Sequence, residues 1–369
     1  HAQGRELAAL GFTMSFAPVA DVTAGPSDPT IGVRAPGGRP RLVGRVAAAQ
    51  SDGLLEAGLV PVVKHFPGHG SVPADSHVEL PVQTASLDRL RTRDLVPFAS
   101  AVAAGVPAVM VAHLDVRDVD PGVPSSLSAP VVRGLLRGDL GFRGVVVTDS
   151  LSMAAVTQRY SAAESAVAAL RAGSDLLLMP PDARAARDGI VKAVRSGQLR
   201  PQRLSTAARR VVALQLHQGD LRGQAGAVEL SYVGSPAPTK ASRRLSASAV
   251  TLVSGRCAGP LVGSSVRVVG GTENDRARFD AAARRAGLQS GSGDVVVLLG
   301  SPASAGSGDV VVALDTPYGL TRSSASSAML ALFGRTPQAF DALLAVLTGR
   351  NPASGTLPVQ VDGVRPPSC

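Results

Sequence analysis

The chain has 369 residues, 45% of them hydrophobic and 3% aromatic, with no tryptophan. That length exceeds one typical domain, and the wealth of Ala, Val, Leu and Gly excludes a disordered chain and fits tightly packed α/β layers. The net charge of +9 comes from 37 basic side chains, of which only Lys64, Lys192 and Lys240 are lysines; they are scattered, which argues against nucleic acid as a partner and leaves a general attraction to anionic surfaces such as a cell wall.

Residues 5–10 have short helical spacing and lead into the apolar stretch 12–22, which carries the carboxylate of Asp21 near its end. A polar loop follows with Pro26, Pro29 and the segment Ile31-Gly32-Val33-Arg34. Helical spacing over 42–58 precedes the apolar run 59–63, which reads as a buried strand. Lys64 and His65 come at its carboxyl end, and Pro67, Gly68 and Gly70 forbid a helix directly after it. The same unit recurs as a helix over 86–104 with Ser86 as N-cap, a strand over 107–114, a helix over 128–138 and a strand over 144–149. Ser161-Ala162-Ala163-Glu164 is a capping box that opens a helix to residue 172, ahead of a strand over 175–179 and helices over 182–196 and 201–217.

Strands alternating with helices imply parallel strands joined by right-handed crossovers. Asp21, Lys64, His65, His113 and Asp149 all fall at strand ends, which in a TIM-type (β/α)8 barrel is the catalytic face. Only five strands can be counted, so the expected fold is α/β, with a barrel lacking its first strands over 1–218. Residues 219–242, rich in Gly, Ser, Pro and Ala, read as a linker. A smaller α/β sandwich domain over 243–369 is expected from strands at 250–253, 266–270, 295–299 and 310–314 and helices at 273–286, 325–333 and 337–348. No apolar run approaches the ~18 residues of a membrane span. Cys257 and Cys369 could form one disulfide in an exported protein or remain two inert thiols; the disulfide is the expectation.

The chemistry concentrates in Lys64-His65-Phe66-Pro67-Gly68-His69-Gly70 and Asp75-Ser76-His77, which hold three of the six histidines. A zinc site would need His65 and His69 on a helix, which Pro67 and Gly68 prevent, so no metal or other cofactor is expected. Asp115, Asp118 and Asp120 lack the closing Glu of a calcium loop and read as turn formers. No Gly-x-Ser-x-Gly elbow follows a strand. What remains is Asp149 at one strand end and a His-Asp pair on a loop near another. That set suits glycoside cleavage, in which a carboxylate attacks the anomeric carbon and a second group protonates the leaving oxygen. Arg34, Lys64 and His65 would hold sugar hydroxyls. Blander roles stand beside these: Asp149 as a helix cap, His77 as a surface loop residue, Arg34 as an ion-pair partner, His113 as a space filler. His69 reads as a loop support and Asp21 as a residue that orders the rim.

Together with Phe16-Ala17-Pro18-Val19, Ile31-Gly32-Val33-Arg34 and Thr148-Asp149-Ser150-Leu151-Ser152-Met153, these motifs resemble glycoside hydrolase family 3, in its β-N-acetylglucosaminidase branch. Asp315-Thr316-Pro317-Tyr318 and the run from Gly349 to Val359 resemble that family's C-terminal sandwich domain, so the likeness covers nearly the whole chain. The resemblance implies a retaining mechanism with Asp149 as nucleophile and His77, held by Asp75, as general acid and then base. Arg34, Lys64, His65, His113 and Met153 would line the sugar site. The implied substrates are terminal N-acetylglucosaminides, including muropeptide fragments of the cell wall, and the protein would be exported. An imidazole, with an ordinary pKa of about 6.5, can deliver and recover a proton near neutrality. A phosphorylase or β-glucosidase of the same family, or a non-catalytic sugar-binding protein, are the rival readings. Family members carry an Asp-Gln-Glu-Gly-Gly-Arg loop that is not found here; with the strand count, this leads to the expectation that the chain starts roughly one hundred residues into the barrel and folds poorly or is inactive alone.

Overall fold

Unbroken apolar runs can be buried on both faces only in a parallel layer covered by helices. That is how residues up to Val233 are arranged in the computed structural model, which describes residues 1–28 and 30–367 and divides into two units after Val233. Parallel strands β1 (Met14–Ser15), β2 (Val60–Phe66), β4 (Ala108–Val111) and β6 (Val145–Thr148) lie side by side in that order, while β3 (Val82–Gln83) and β5 (Asp115–Val116) make a separate pair. Val63, Phe66, Val109, Val111 and Val146 bury one face with Phe98, Leu90 and Leu136. Val60, Val62, Ala108, Met110, Val145 and Val147 bury the other against Leu214.

The helices are α1 (Ala2–Ala9), α2 (Pro40–Leu55), α3 (Leu87–Thr92), α4 (Val96–Ala103), α5 (Ala154–Thr157), α6 (Ala162–Ala172), α7 (Ala183–Arg195) and α8 (Pro201–Ala225), with a π-helical stretch over Pro130–Asp139. The capping box at Ser161 and Glu164 forms as expected. The single helix expected over 86–104 is two, because Pro97 in the first turn of the second removes a helical donor and the chain breaks at the buried Asp94. The strand expected over 175–179 contributes one bridge, Val147↔Leu176. There the chain is tied by a side chain instead: the fully buried Asp175 carboxylate accepts from Arg137, Arg203, Arg210 and the Val146 amide. Among the described residues the strand row does not close on itself.

The second unit carries α9 (Pro236–Ala249) and a six-stranded sheet ordered β7-β12-β11-β10-β8-β9, parallel except at β7. Its strands are β7 (Thr251–Ser254), β8 (Ser265–Gly270), β9 (Gln289–Ser290), β10 (Asp294–Leu299), β11 (Ser307–Ala313) and β12 (Ser324–Ala331), with α10 (Glu273–Arg285) and α11 (Pro337–Leu347) covering it. One expectation needs correction. Within the helix expected over 325–333, residues 325–331 belong to strand β12 instead: Ser and Ala give no decisive periodicity, and pairing between β11 and β7 decides the matter. Residues 219–242 are mostly helical, since α8 runs to Ala225, a 3-10 turn spans Leu230–Tyr232 and α9 starts at Pro236. The expected Cys257–Cys369 pairing lies outside the described residues, as Cys369 does. No helix among the described residues is long and apolar enough to cross a membrane.

Candidate active site

β2 and β4 pair in register through Val63↔Val109, then slip so that Phe66 meets Val111. The extra residue is a bulge, which re-aims side chains at a strand end. The Lys64 amide donates to the Pro18 carbonyl, and the Lys64 carbonyl accepts from Ala20. The Lys64–His65 and Phe66–Pro67 peptides are cis. Two glycines then allow a tight path. Gly68 has φ +125°, and a Cβ there would sit 2.8 Å from the Asp94 side chain. At Gly70 a Cβ would sit 2.6 Å from the Val22 carbonyl oxygen.

Asp21 is the hub of this corner. It is fully buried and accepts from the His69 amide at 2.6 Å and from His65 Nδ1 at 2.7 Å. Burial pushes its carboxyl up, but the charge and hydrogen bond of His65 and the His69 amide outweigh that and hold it below its ordinary value. With Nδ1–H committed to Asp21, Nε2 is the His65 atom that can meet a ligand. Burial first, and then the Arg34 charge, lower the Lys64 ammonium, while Asp149 and Asp21 oppose them.

His77 Nδ1 and the His77 amide both donate to Asp75 Oδ1, at 2.7 and 2.9 Å. A slight burial pushes the Asp75 carboxyl up, and these two bonds outweigh it and lower it. The His77 side chain is 65% exposed, yet its neighbours are tied down. Ser76 Oγ lies 3.0 Å from His69 Nε2, the Ser76 carbonyl accepts from the Ala155 amide, and the Val78 carbonyl accepts from Gln158 Nε2 at 3.0 Å. The Asp75–His77 segment is thus fastened on one side to His69 and on the other to Ala155 and Gln158 at α5, which directly follows the Asp149 turn.

Asp149 follows β6. Its amide donates to the Val111 carbonyl, and Oδ1 accepts from the Ser150 amide at 2.8 Å. Its charge acts on Lys64, His69 and His113. His113 also feels His77, so the expected residues from β2, β4, β6 and the loop gather into one electrostatic neighbourhood. Arg34 is exposed on the short Gly32–Arg34 turn and donates from Nη2 to the Thr30 carbonyl at 2.8 Å. Among the described residues it has no carboxylate partner.

Two of the expected sugar-lining residues are buried. His113 is fully buried: Nε2 donates to the Ser150 carbonyl at 2.9 Å, so Nδ1 accepts from the Ser126 hydroxyl at 2.7 Å, and neither ring nitrogen is left for a sugar. Burial lowers its pKa, in keeping with that neutral ring. Met153 is 7% exposed and starts α5, its amide bonded to the Ser150 carbonyl. Both are bonded to the Ser150 carbonyl, beside Asp149. Asp21 orders the rim, and His69 supports the loop. Sequence reasoning missed Ser76, Ser126 and Gln158, of which only Ser76 lay inside a motif. Among the described residues no three His, Cys, Asp or Glu side chains converge to hold a metal ion.

Residues 1–214 match the profile described as Glycosyl hydrolase family 3 N terminal domain. The chain belongs to glycosyl hydrolase family 3. It is similar to the β-hexosaminidase LpqI of Mycobacterium tuberculosis, with 39% identity over 221 residues, covering 58% of this chain and 56% of that protein. It is also similar to a β-hexosaminidase of Xylella fastidiosa, with 45% identity over 174 residues, covering 47% of this chain and 51% of the other. Among solved structures, a family 3 β-N-acetylglucosaminidase from Paenibacillus superposes with a TM-score of 0.85 at 31% identity, over 97% of this family 3 chain and 78% of that one. The chain spans about half the length of the curated relatives it matches.

Proposed function

We propose that this family 3 chain carries the catalytic residues of a retaining glycoside hydrolase that releases terminal β-linked N-acetylglucosamine. The observation that carries the reading is the pairing of His77 with Asp75 on a loop fastened beside the Asp149 turn. The names of its relatives, β-hexosaminidases and a β-N-acetylglucosaminidase, support the substrate class. Cell-wall fragments, muropeptides included, are the natural source of such ends, which fits an exported protein.

In the first step an Asp149 carboxylate oxygen bonds to the anomeric carbon as the glycosidic C–O bond breaks. The proton on His77 Nε2 passes to the departing oxygen. Asp75, kept ionised, orients the ring through Nδ1 and stabilises its cationic form. In the second step water attacks the anomeric carbon, its proton returns to His77 Nε2, and the ester to Asp149 breaks. Lys64, His65 and Arg34 position the sugar, and the Asp149 charge acts on the Lys64 ammonium.

The test is hydrolysis of an aryl N-acetyl-β-glucosaminide and of the matching glucoside, with and without phosphate. The amino-sugar should be preferred and free sugar released in both buffers. Asp149→Asn should lower kcat at least about a thousandfold, and His77→Ala about a hundredfold or more. Sugar 1-phosphate as the product, or preference for the glucoside, would overturn the reading.

A further inference from the structure

Away from the Asp149 corner, the first unit has a groove of about 660 Å³ between the π-helical stretch, the end of α6 and the start of α8. Four guanidinium groups line it, from Arg133, Arg171, Arg200 and Arg203, against a single carboxylate, Asp120. Asp120 already accepts from the Ser128 hydroxyl at 2.6 Å. Arg203 is bonded to Asp175 and to the Leu170 and Ser174 carbonyls, yet its Nη1 is buried with no partner. Arg133, Arg171 and Arg200 are exposed and have no ion pair among the described residues. Arg200 is also the N-cap of the 25-residue helix α8, which has no side-chain cap and presents its positive dipole end there.

Like charges gathered in a concave surface focus the field and raise the local concentration of counter-ions. Guanidinium forks match phosphate oxygens in bidentate fashion. The groove has the volume of a small-molecule site, larger than a single phosphate needs. We infer that it is a binding site for a ligand carrying two or more phosphate groups, separate from the glycosidase centre. None of its lining residues belongs to the machinery described above, so the inference stands whether or not the glycosidase reading does.

Titration calorimetry of the protein at low ionic strength tests it, with tripolyphosphate as a free polyanion and a glycerol-phosphate oligomer as a phosphodiester chain. At least one probe should bind, and the tighter of the two identifies the source. Arg133→Gln with Arg171→Gln should weaken that binding about tenfold or more. The control, Arg243→Gln with Arg244→Gln on α9, removes the same charge from another exposed surface and should change it little. Thermal melting checks that both variants fold, and Arg171→Gln alone serves if the double variant does not. Failure of both probes to bind overturns the inference. So does an equal loss in the two double variants, which would mean attraction to overall charge and no local site.

Discussion

His113 ties down the turn that carries Asp149. Its ring bridges Ser126 on one side and the Ser150 carbonyl on the other, so it fixes the residue next to Asp149. His113→Ala should lower kcat by about ten- to a hundredfold, since small misplacements of a reacting group are costly, and should change KM little. Steady-state kinetics measures this split; an unchanged kcat with a raised KM would make His113 a sugar ligand after all. Asp94 carries a pH signature. Burial raises its carboxyl to about 6 against the pull of Arg93 and Ser71, and its Oδ2 has no partner. Because the folded state then holds a proton that the unfolded state releases nearer pH 3.8, this group stabilises the fold at acid pH. Its contribution is fully present below that unfolded value and is lost as pH rises through about 6. Stability should therefore fall by about 1–3 kcal/mol from this source over that window, and Asp94→Asn should flatten the profile. Urea melts at pH 4 and pH 7 (both about these limits) compare the two proteins; identical profiles would contradict the account.

At the level of elements, the turn after β2 depends on close approach. Gly70→Ala would drive a Cβ into the Val22 carbonyl and should cost about 1–3 kcal/mol, seen as a lower Tm. A buried carboxylate facing three guanidiniums is the other weak point. Asp175→Asn leaves Arg137, Arg203 and Arg210 undercompensated and should cost about 3–5 kcal/mol. These elements also show what was legible in the sequence. The runs at β2, β4 and β6 announced themselves because both faces are apolar, and the Ser161 capping box because its chemistry is local. β12 did not, because its Ser and Ala residues take their conformation from neighbouring strands. The break before Pro97 was readable in principle, since proline removes a helical donor.

For the molecule as a whole, the candidate site was legible where its residues lie close in sequence, as in Lys64-His65 and Asp75-Ser76-His77. It was not legible where residues act across distance in the chain. Ser126 meets His113 from 13 positions away, and Gln158 meets Val78 from 80. No spacing rule announces such pairs, which exist only once β4, α5 and the loop have packed. The second unit folds around its own sheet and core. The catalytic proposal therefore stands on the first unit, and most of all on Asp149. Its most direct test is to trap the protein with a 2-deoxy-2-fluoro glycosyl donor and map the modified peptide by mass spectrometry. The account predicts one sugar on Asp149 and none in Asp149→Asn. A label on any other side chain, or one kept by the variant, would contradict it.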